Sequence, residues 1–143
     1  AEKILVVFFG NIRHPEVLDK LRVSYRHAGF INDARVVRDI LAASKVILST
    51  SLYETLGGTL VEGQAAGAIP VCFADDGRRD VVTHKVNGYV ARRGDYVDIA
   101  NGILWALKSG ISRESLHKSV RDRFSSDVIA ARYIKLFEEI IDR

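Results

Sequence analysis

The chain has 143 residues, 48% of them hydrophobic, which is enough for one domain with a buried core. Its 21 Lys and Arg residues against 18 Asp and Glu leave a net charge of +3, and the basic residues are scattered in short pairs such as Arg78-Arg79 and Arg92-Arg93, so no nucleic-acid-binding surface is expected. The single cysteine, Cys72, excludes an internal disulfide and favours a reducing, cytoplasmic compartment, and no apolar run approaches the roughly 18 residues that cross a bilayer.

The first part of the chain alternates short apolar runs with helical patterns. The run at residues 4–9 predicts a strand buried on both faces. Residues 14–21 predict a short helix and residues 23–27 a second strand. Asp33 is expected to cap a helix that ends near Ala43, because apolar side chains recur on one face of that segment.

The next segment joins a strand to a helix through a loop that contains glycine. A third strand is predicted at residues 46–48, a loop at 49–58 and a helix at 59–66, which Gly67 ends. The small residues of this helix allow close packing on a sheet. The remaining predicted elements are strands at 69–73 and 88–91 and helices at 95–108, 112–124 and 127–142.

This alternation predicts an α/β fold in which helices flank a Rossmann-like parallel sheet, with a single domain over residues 1–143. In such sheets ligands bind at the carboxyl ends of the strands, and helix N-termini there bind anions. Residues 49–59 fall at that edge. Because the chain contains no methionine, we also expect it to be a piece excised from a longer protein.

The most informative residues lie in this loop and the helix after it. Glu54 and Glu62 have seven residues between them, with Gly57-Gly58 in the middle. The N–H groups of residues 56–59 have no earlier helical turn to accept their hydrogen bonds, and the glycines let an anion approach the backbone. The two acids can take hydroxyl groups on either side, so the pattern favours a phosphorylated polyol such as a nucleotide sugar.

A structural interpretation competes for one of the two acids. Thr59-x-x-Glu62 fits a capping box, in which Glu62 returns a hydrogen bond to the N–H group of Thr59. Capping explains Glu62 but leaves Glu54 without a purpose. From the sequence alone, both interpretations of Glu62 stay open.

A longer pattern surrounds these acids and keeps its register over about forty residues. Its parts are Ser51-Leu52-Tyr53-Glu54, Glu62-Gly63-Gln64-Ala65-Ala66-Gly67-Ala68-Ile69-Pro70-Val71, Asp80-Val81-Val82 and Asn87-Gly88-Tyr89. The pattern resembles the C-terminal half of GT-B glycosyltransferases. More narrowly, it is similar to the large family of retaining, nucleotide-sugar-dependent enzymes marked by two glutamates at this spacing (group 1, family 4).

The resemblance implies a role for each matching position. Glu62 would accept hydrogen bonds from the ribose of the donor nucleotide. Glu54, the implied catalytic residue, would face the hydroxyls of the donor hexose. The sugar and diphosphate would be bound by the N–H groups of Leu56, Gly57, Gly58 and Thr59. The turn Gly29-Phe30-Ile31 would border the nucleobase.

The resemblance also implies that no metal and no cofactor is needed beyond a UDP- or GDP-sugar donor. Asp75-Asp76 is then interpreted as a turn after the fourth strand rather than as a metal-binding acidic motif. In the family, this domain opens with a strand that ends in glycine and a basic residue, followed by a lysine-containing loop that grips the diphosphate. Here we expect that first strand to be lacking, the basic residues to lie upstream of residue 1, and the N-terminal acceptor domain to be absent.

The sequence therefore predicts the donor-binding domain of a retaining hexosyltransferase that makes polysaccharide or glycan, inactive as an isolated fragment. Expected partners are a nucleotide sugar, the missing N-terminal domain, the inner face of a membrane for the full-length enzyme, and a second copy that completes the sheet. Two alternatives are a nucleotide-sugar epimerase of the same architecture, which would need catalytic acids elsewhere, and a non-catalytic binding domain, which would not need both glutamates. No G-x-G-x-x-G follows a strand, which argues against a dinucleotide-dependent oxidoreductase.

Overall fold

The computed structural model describes residues 4–74 and 77–142, in two compact units that divide after Val37. In the first unit, strands β1 (Leu5–Phe8) and β2 (Ser24–His27) pair in parallel, with Leu5 opposite Ser24 and Phe8 opposite His27. A 3-10 helix at Pro15–Lys20 connects the two strands.

Two expectations for this unit need correction. The predicted strand at residues 4–9 is not buried on both faces, because Leu5 is 54% and Val7 36% exposed. Parallel strands are buried on both faces only where helices cover both. The helix predicted at 14–21 is a six-residue 3-10 segment that begins at a proline and has no side-chain cap.

Helix α1 (Ala34–Ala43) leads into the second unit. Asp33 caps this helix as predicted, since its carboxylate accepts a hydrogen bond from the backbone N–H of Arg35 at 2.8 Å. Side-chain capping fixes where the helix begins.

The second unit contains a parallel sheet with the strand order β3-β4-β5. The strands are β3 (Val46–Ser49), β4 (Ile69–Phe73) and β5 (Tyr89–Ala91), and the helices are α2 (Gly58–Ala65), α3 (Tyr96–Lys108), α4 (Arg113–Phe124) and α5 (Ser126–Ile141). Every residue of the central strand is buried. The core around it consists of Ile69, Val71, Phe73, Tyr89, Ala91, Ile99, Ala106 and Leu116.

Helices lie on both faces of this sheet. On α2, a side-chain carbon at Gly63 would come within 2.6 Å of Ile47, so this helix packs closely on β3, as its small residues predict. On α3, Gly102 is similarly close to Tyr89 and Val71. Val71 lies opposite Leu48 in the register, and successive side chains of a strand point to opposite faces, so α2 and α3 cover opposite faces of the sheet.

The predicted α/β class with parallel strands and flanking helices is confirmed. The strands of the described ranges form two parallel sheets, one of two strands and one of three, where the sequence predicted one sheet. The last helix begins one residue earlier than predicted, and the large apolar residues of its second half, including Tyr133 and Phe137, are exposed. Cys72 is fully buried in β4.

A buried amide network ties the turn before β5 to helix α2. The Asn87 side chain donates to the side-chain oxygen of Gln64 at 3.1 Å and to the carbonyl of Val81 at 3.0 Å, and its own oxygen accepts from the N–H of Thr83 at 2.7 Å. Gln64 is 1% and Asn87 8% exposed, so these bonds satisfy groups that water does not reach. The Asn-Gly part of the sequence pattern thus has a structural cause.

Candidate functional site at the carboxyl ends of the strands

A cavity of about 610 Å³ opens where the three strands of the second unit end. It is lined by residues 52–55 from the loop after β3, by Ala74 directly after β4, by Arg79 from a 3-10 helix at Gly77–Asp80, and by Arg93 just after β5. Ligands of open parallel sheets bind at this edge. The volume lies within the range of small-molecule sites.

Among the described residues, the charged side chains that line the cavity are one carboxylate and two guanidinium groups. Glu54, Arg79 and Arg93 all line it, and the Arg93 guanidinium carbon lies 4.2 Å from the centre of the Tyr53 ring, a cation–π distance. Within the described residues, neither arginine forms an ion pair with a carboxylate, and the Glu54 carboxylate has no hydrogen-bond partner. The cavity therefore offers hydrogen-bond acceptors and donors that the described part of the fold does not use.

Arg78, the neighbour of Arg79, holds the loop that carries Glu54. It is fully buried, and its guanidinium donates to the carbonyl of Ser51 at 2.6 Å and to the carbonyl and hydroxyl of Ser49 at 3.5 and 3.4 Å. These bonds fix the backbone immediately after β3, because a buried guanidinium is stable only where its N–H groups are satisfied.

Two glycines allow this loop to pack tightly. A side-chain carbon at Gly77 would collide with the backbone carbonyl of Thr55 and come within 2.6 Å of that of Glu54. Gly57 has a left-handed backbone (φ 84°), and a side-chain carbon there would lie 3.1 Å from the Arg78 stem. The backbone of residues 54–57 is thus held from both ends.

The start of α2 differs from the capping-box interpretation. Helix α2 begins at Gly58 with Gly57 as its cap, and no side chain caps it, so Thr59 is the second helical residue rather than the cap. The capping interpretation of Glu62 is therefore wrong. Within the described ranges, the Glu62 carboxylate has no partner, and the N–H groups of Gly58 and Thr59 donate to no acceptor.

The structure brings some of the predicted site residues together and not others. Glu54 lines the cavity, whereas Leu56, Gly57, Gly58, Thr59 and Glu62 lie at the end of the loop and the start of α2, outside its lining. Gly29-Phe30-Ile31 belongs to the first unit, where Phe30 is 66% exposed. The roles assigned to these residues stay predictions.

Sequence reasoning missed the arginines and Gly77. As letters in the chain, Arg78-Arg79 and Arg92-Arg93 are only scattered basic pairs, yet each follows a strand of the same parallel sheet. The carboxyl ends of parallel strands meet at one edge, so this placement was a signal that the sequence contained. The outward or inward direction of each side chain was not readable from sequence.

Arg92 belongs to a network that joins β5 to α3. Asp98 accepts hydrogen bonds from the N–H of Arg92 and the hydroxyl of Tyr89, both at 2.8 Å, while the Arg92 guanidinium pairs with Asp95 at 2.8 Å. The hydrogen bond from the Arg92 backbone, together with that from Tyr89, holds the pKa of Asp98 below its ordinary value. The Asp98 carboxylate in turn raises the pKa of Tyr89.

The described residues contain no cluster suited to a metal ion. Among residues 4–74 and 77–142, no group of three or more His, Cys, Asp or Glu side chains is arranged to hold one. Asp75 and Asp76, predicted to form a turn, lie outside the described residues. No helix within the described ranges has the length and apolar character needed to span a membrane.

A parallel α/β domain with a polar cavity and an open helix N-terminus at the same sheet edge defines a Rossmann-like ligand-binding domain. The family model described as "Glycosyl transferases group 1" matches residues 2–123, and the chain belongs to this family. The predicted resemblance to the C-terminal half of GT-B glycosyltransferases is thereby confirmed.

Individual relatives agree with this assignment. The chain is 27% identical over 120 residues to N-acetyl-alpha-D-glucosaminyl L-malate synthase of Bacillus anthracis, covering 78% of this chain and 30% of that protein. It is 29% identical over 110 residues to glycogen synthase of Chlamydia muridarum, covering 73% of this chain and 23% of the relative. The chain thus spans less than a third of the length of either relative.

Solved structures show the same fold. Anabaena HepE, solved in complex with UDP and glucose, superposes with a TM-score of 0.74 at 20% identity, over 93% of this chain and 40% of HepE. A glycosyltransferase from Rickettsia africae superposes with a TM-score of 0.76 at 20% identity, over 94% of this chain and 39% of that protein.

Proposed function

We propose that this chain is the donor-binding domain of a retaining hexosyltransferase that builds polysaccharide or glycan from a UDP- or GDP-sugar. The observation that carries the proposal is the pair Glu54 and Glu62, which precede and follow the first residue of α2 in the chain. Neither carboxylate has a partner in the described part of the fold, and the N-terminus of α2 between them is open. Family membership and the complex of HepE with UDP and glucose support a nucleotide sugar as the ligand.

Each proposed role follows from the chemistry of the group. Glu62, exposed in the second turn of α2, accepts hydrogen bonds from the ribose, and Glu54 accepts them from hydroxyls of the donor hexose as the catalytic residue. The N–H groups of residues 56–59 hold the sugar and diphosphate, with the helix N-terminus contributing up to about 2 kcal/mol in partly buried geometry. Gly29-Phe30-Ile31 borders the nucleobase through the exposed Phe30 ring.

No metal and no further cofactor is part of the proposal. Binding energy gained on the nucleotide holds the hexose for transfer through an oxocarbenium-like transition state. The acceptor and its N-terminal domain lie outside this chain in the proposal, so this chain alone is expected to bind donor weakly and transfer nothing. Turnover of a nucleotide sugar by this chain alone would contradict the proposal that a separate domain is needed to bind the acceptor.

The test is a calorimetric titration of the chain with UDP, GDP, UDP-glucose and GDP-mannose. Glu62→Gln is expected to weaken the preferred nucleotide about tenfold or more, since a hydrogen bond to a charged group is worth roughly 1.5–3 kcal/mol. Glu54→Gln is expected to weaken the nucleotide sugar but not the free nucleotide. The two variants therefore separate the ribose role from the hexose role.

Glu138→Gln on α5 serves as the matched control, because Glu138 is an exposed helical glutamate outside the cavity lining. It should bind like the unmodified chain. Absence of binding to every nucleotide, or equal binding by Glu62→Gln and Glu138→Gln, would remove the assignment.

A further inference from the structure

The cavity beside Glu54 has a chemistry that donor-hexose binding alone does not require. Two guanidinium groups, those of Arg79 and Arg93, line it, and within residues 4–74 and 77–142 one carboxylate lines it with them. Neutral sugar hydroxyls need acceptors and donors but no concentration of positive charge.

The surroundings of the two arginine pairs show how specific this arrangement is. In Arg78-Arg79, the first side chain is buried and bonded to Ser49 and Ser51, and the second lines the cavity. In Arg92-Arg93, the first pairs with Asp95 and the second lines the cavity. Each pair therefore supplies one structural cation and one cation directed to the same space.

Several other arginines of the second unit are engaged by acceptors of the protein. Arg38 pairs with Asp39 at 2.7 Å, and Arg113 donates to the carbonyls of Ala42 and Ser44 at 2.6 and 3.0 Å. Arg79 and Arg93 have no carboxylate or carbonyl acceptor among the described residues. Within that part of the chain, their donors remain available to a ligand.

One of the two is also held in place. The Arg93 guanidinium carbon lies 4.2 Å from the centre of the Tyr53 ring, and Tyr53 directly precedes Glu54 in the loop after β3. Stacking on an aromatic ring lowers the rotational freedom that binding must otherwise remove and leaves the N–H edges of the guanidinium free. A planar N–H edge matches the oxygen pair of a phosphate or carboxylate.

We propose that Arg79 and Arg93 form an oxyanion subsite that holds a phosphate or carboxylate group of a carbohydrate whose hydroxyls are held by Glu54. The inference rests on the proposed function for the role of Glu54 and adds the chemical class of the ligand, an anionic sugar. The oxyanion has two sources with the same chemistry, the diphosphate of the donor and an acidic group on the sugar itself. The acidic group on the sugar is the source proposed here, because the diphosphate is assigned to the N–H groups of residues 56–59, which lie outside the cavity lining.

The experiment titrates the chain with D-glucose, D-glucose 6-phosphate, D-glucuronate and inorganic pyrophosphate at constant ionic strength, with binding followed by NMR shifts of backbone amides at residues 52–55. The two acidic sugars are expected to bind at least tenfold more tightly than glucose. Arg79→Gln/Arg93→Gln should abolish that preference, and Glu54→Gln should weaken the acidic sugars while leaving pyrophosphate unchanged.

Arg132→Gln/Lys135→Gln, which removes the same amount of charge from the exposed α5, is the matched control and should leave all four affinities unchanged. Equal binding of glucose and the acidic sugars, or retention of the preference in the double arginine variant, overturns the proposal. Tight binding of pyrophosphate alone, lost in that variant, assigns the arginines to a diphosphate and equally overturns it.

These ligands contain no nucleoside, so the outcome is independent of the nucleotide titration. Loss of nucleotide binding with retained acidic-sugar binding would refute the donor-binding function alone. The single variants Arg79→Gln and Arg93→Gln, each expected to give a smaller loss than the double variant, keep the test open if the double variant folds poorly.

Discussion

The residues that support the cavity and the residues that line it have opposite surroundings, although each set contains an arginine and an acid. The supporting residues, Gly77, Arg78 and Asp98, make hydrogen bonds or backbone contacts inside the protein. The lining residues Glu54 and Arg79 have no such partner among the described residues.

This difference separates stability from binding within one site. A substitution in the supporting set removes contacts that hold the fold, whereas a substitution in the lining set removes only groups that face solvent. Residue type alone does not distinguish them, since one arginine of the pair Arg78-Arg79 falls in each set. Three substitutions test this separation.

The largest effect is expected for Arg78→Met. The carbonyls of Ser49 and Ser51 would lose their buried donor, and each buried group left unpaired costs about 1–3 kcal/mol. The free energy of unfolding, measured by urea denaturation, should fall by about 3 kcal/mol, which corresponds to a cost of about 1.5 kcal/mol for each of the two carbonyls. Arg79→Met, the control at the next position, should change it by less than about 0.5 kcal/mol. Similar losses in both variants would show that the two arginines do not differ as described.

A smaller loss is expected for Gly77→Ala. The added carbon would collide with the carbonyl of Thr55, and such overpacking costs about 1–3 kcal/mol. The Tm should drop, and the backbone amides of residues 54–57 should shift in NMR spectra. Gly58→Ala is the control, because nothing lies within 4 Å of an added carbon there and its backbone is helical. A Tm of Gly77→Ala equal to that of Gly58→Ala would refute the close packing of the loop.

The smallest of the three losses is expected for Asp98→Asn, about 1.5 kcal/mol at neutral pH, because the carboxylate accepts from both Tyr89 and the Arg92 backbone. The pKa of Asp98 is lowered in the folded state, so its contribution is present above its ordinary value of 3.8 and is lost as the pH falls below it. The difference in unfolding free energy between the unmodified chain and Asp98→Asn should therefore shrink as the pH falls from about 5 to about 2. Asp19→Asn, at an exposed acid, should show no such pH-dependent difference; a difference constant with pH would refute the assignment for Asp98.

Much of the fold was predictable from local patterns. The strands predicted at 46–48 and 69–73 and the three C-terminal helices match the structure, because hydrophobic periodicity is encoded by neighbouring residues. In the structure, side chains of Asp95 and Ser112 cap the helices predicted to begin at those residues. The exposure of Leu5 and Val7 was not predictable, because an apolar run does not show whether helices will cover both faces of the strand.

The candidate site was predictable in position but only partly in composition. The sheet edge and Glu54 followed from topology and motif. The cap at Gly57 was missed because a left-handed glycine there outcompetes the side-chain cap that Thr59 suggested. Arg78 was missed because its burial depends on Ser49 and Ser51, 29 and 27 residues away in sequence, and local patterns do not contain such contacts.

The buried Asn87 amide also affects how the protein ages. Asn-Gly is the dipeptide in which the side-chain amide is most readily attacked by the following backbone nitrogen, with loss of ammonia. Here that amide is held by Gln64 and Val81, and Gly88 is packed against Pro70, which opposes the movement by which the Gly88 nitrogen would reach the side-chain carbonyl carbon of Asn87. Each passage through the unfolded state exposes Asn87 to this reaction. Hydrolysis of the cyclic product leaves a carboxylate in place of the amide, and a carboxylate has no N–H group to donate to Gln64 or Val81 when the chain refolds. Chemical lifetime is therefore coupled to folding stability at this turn.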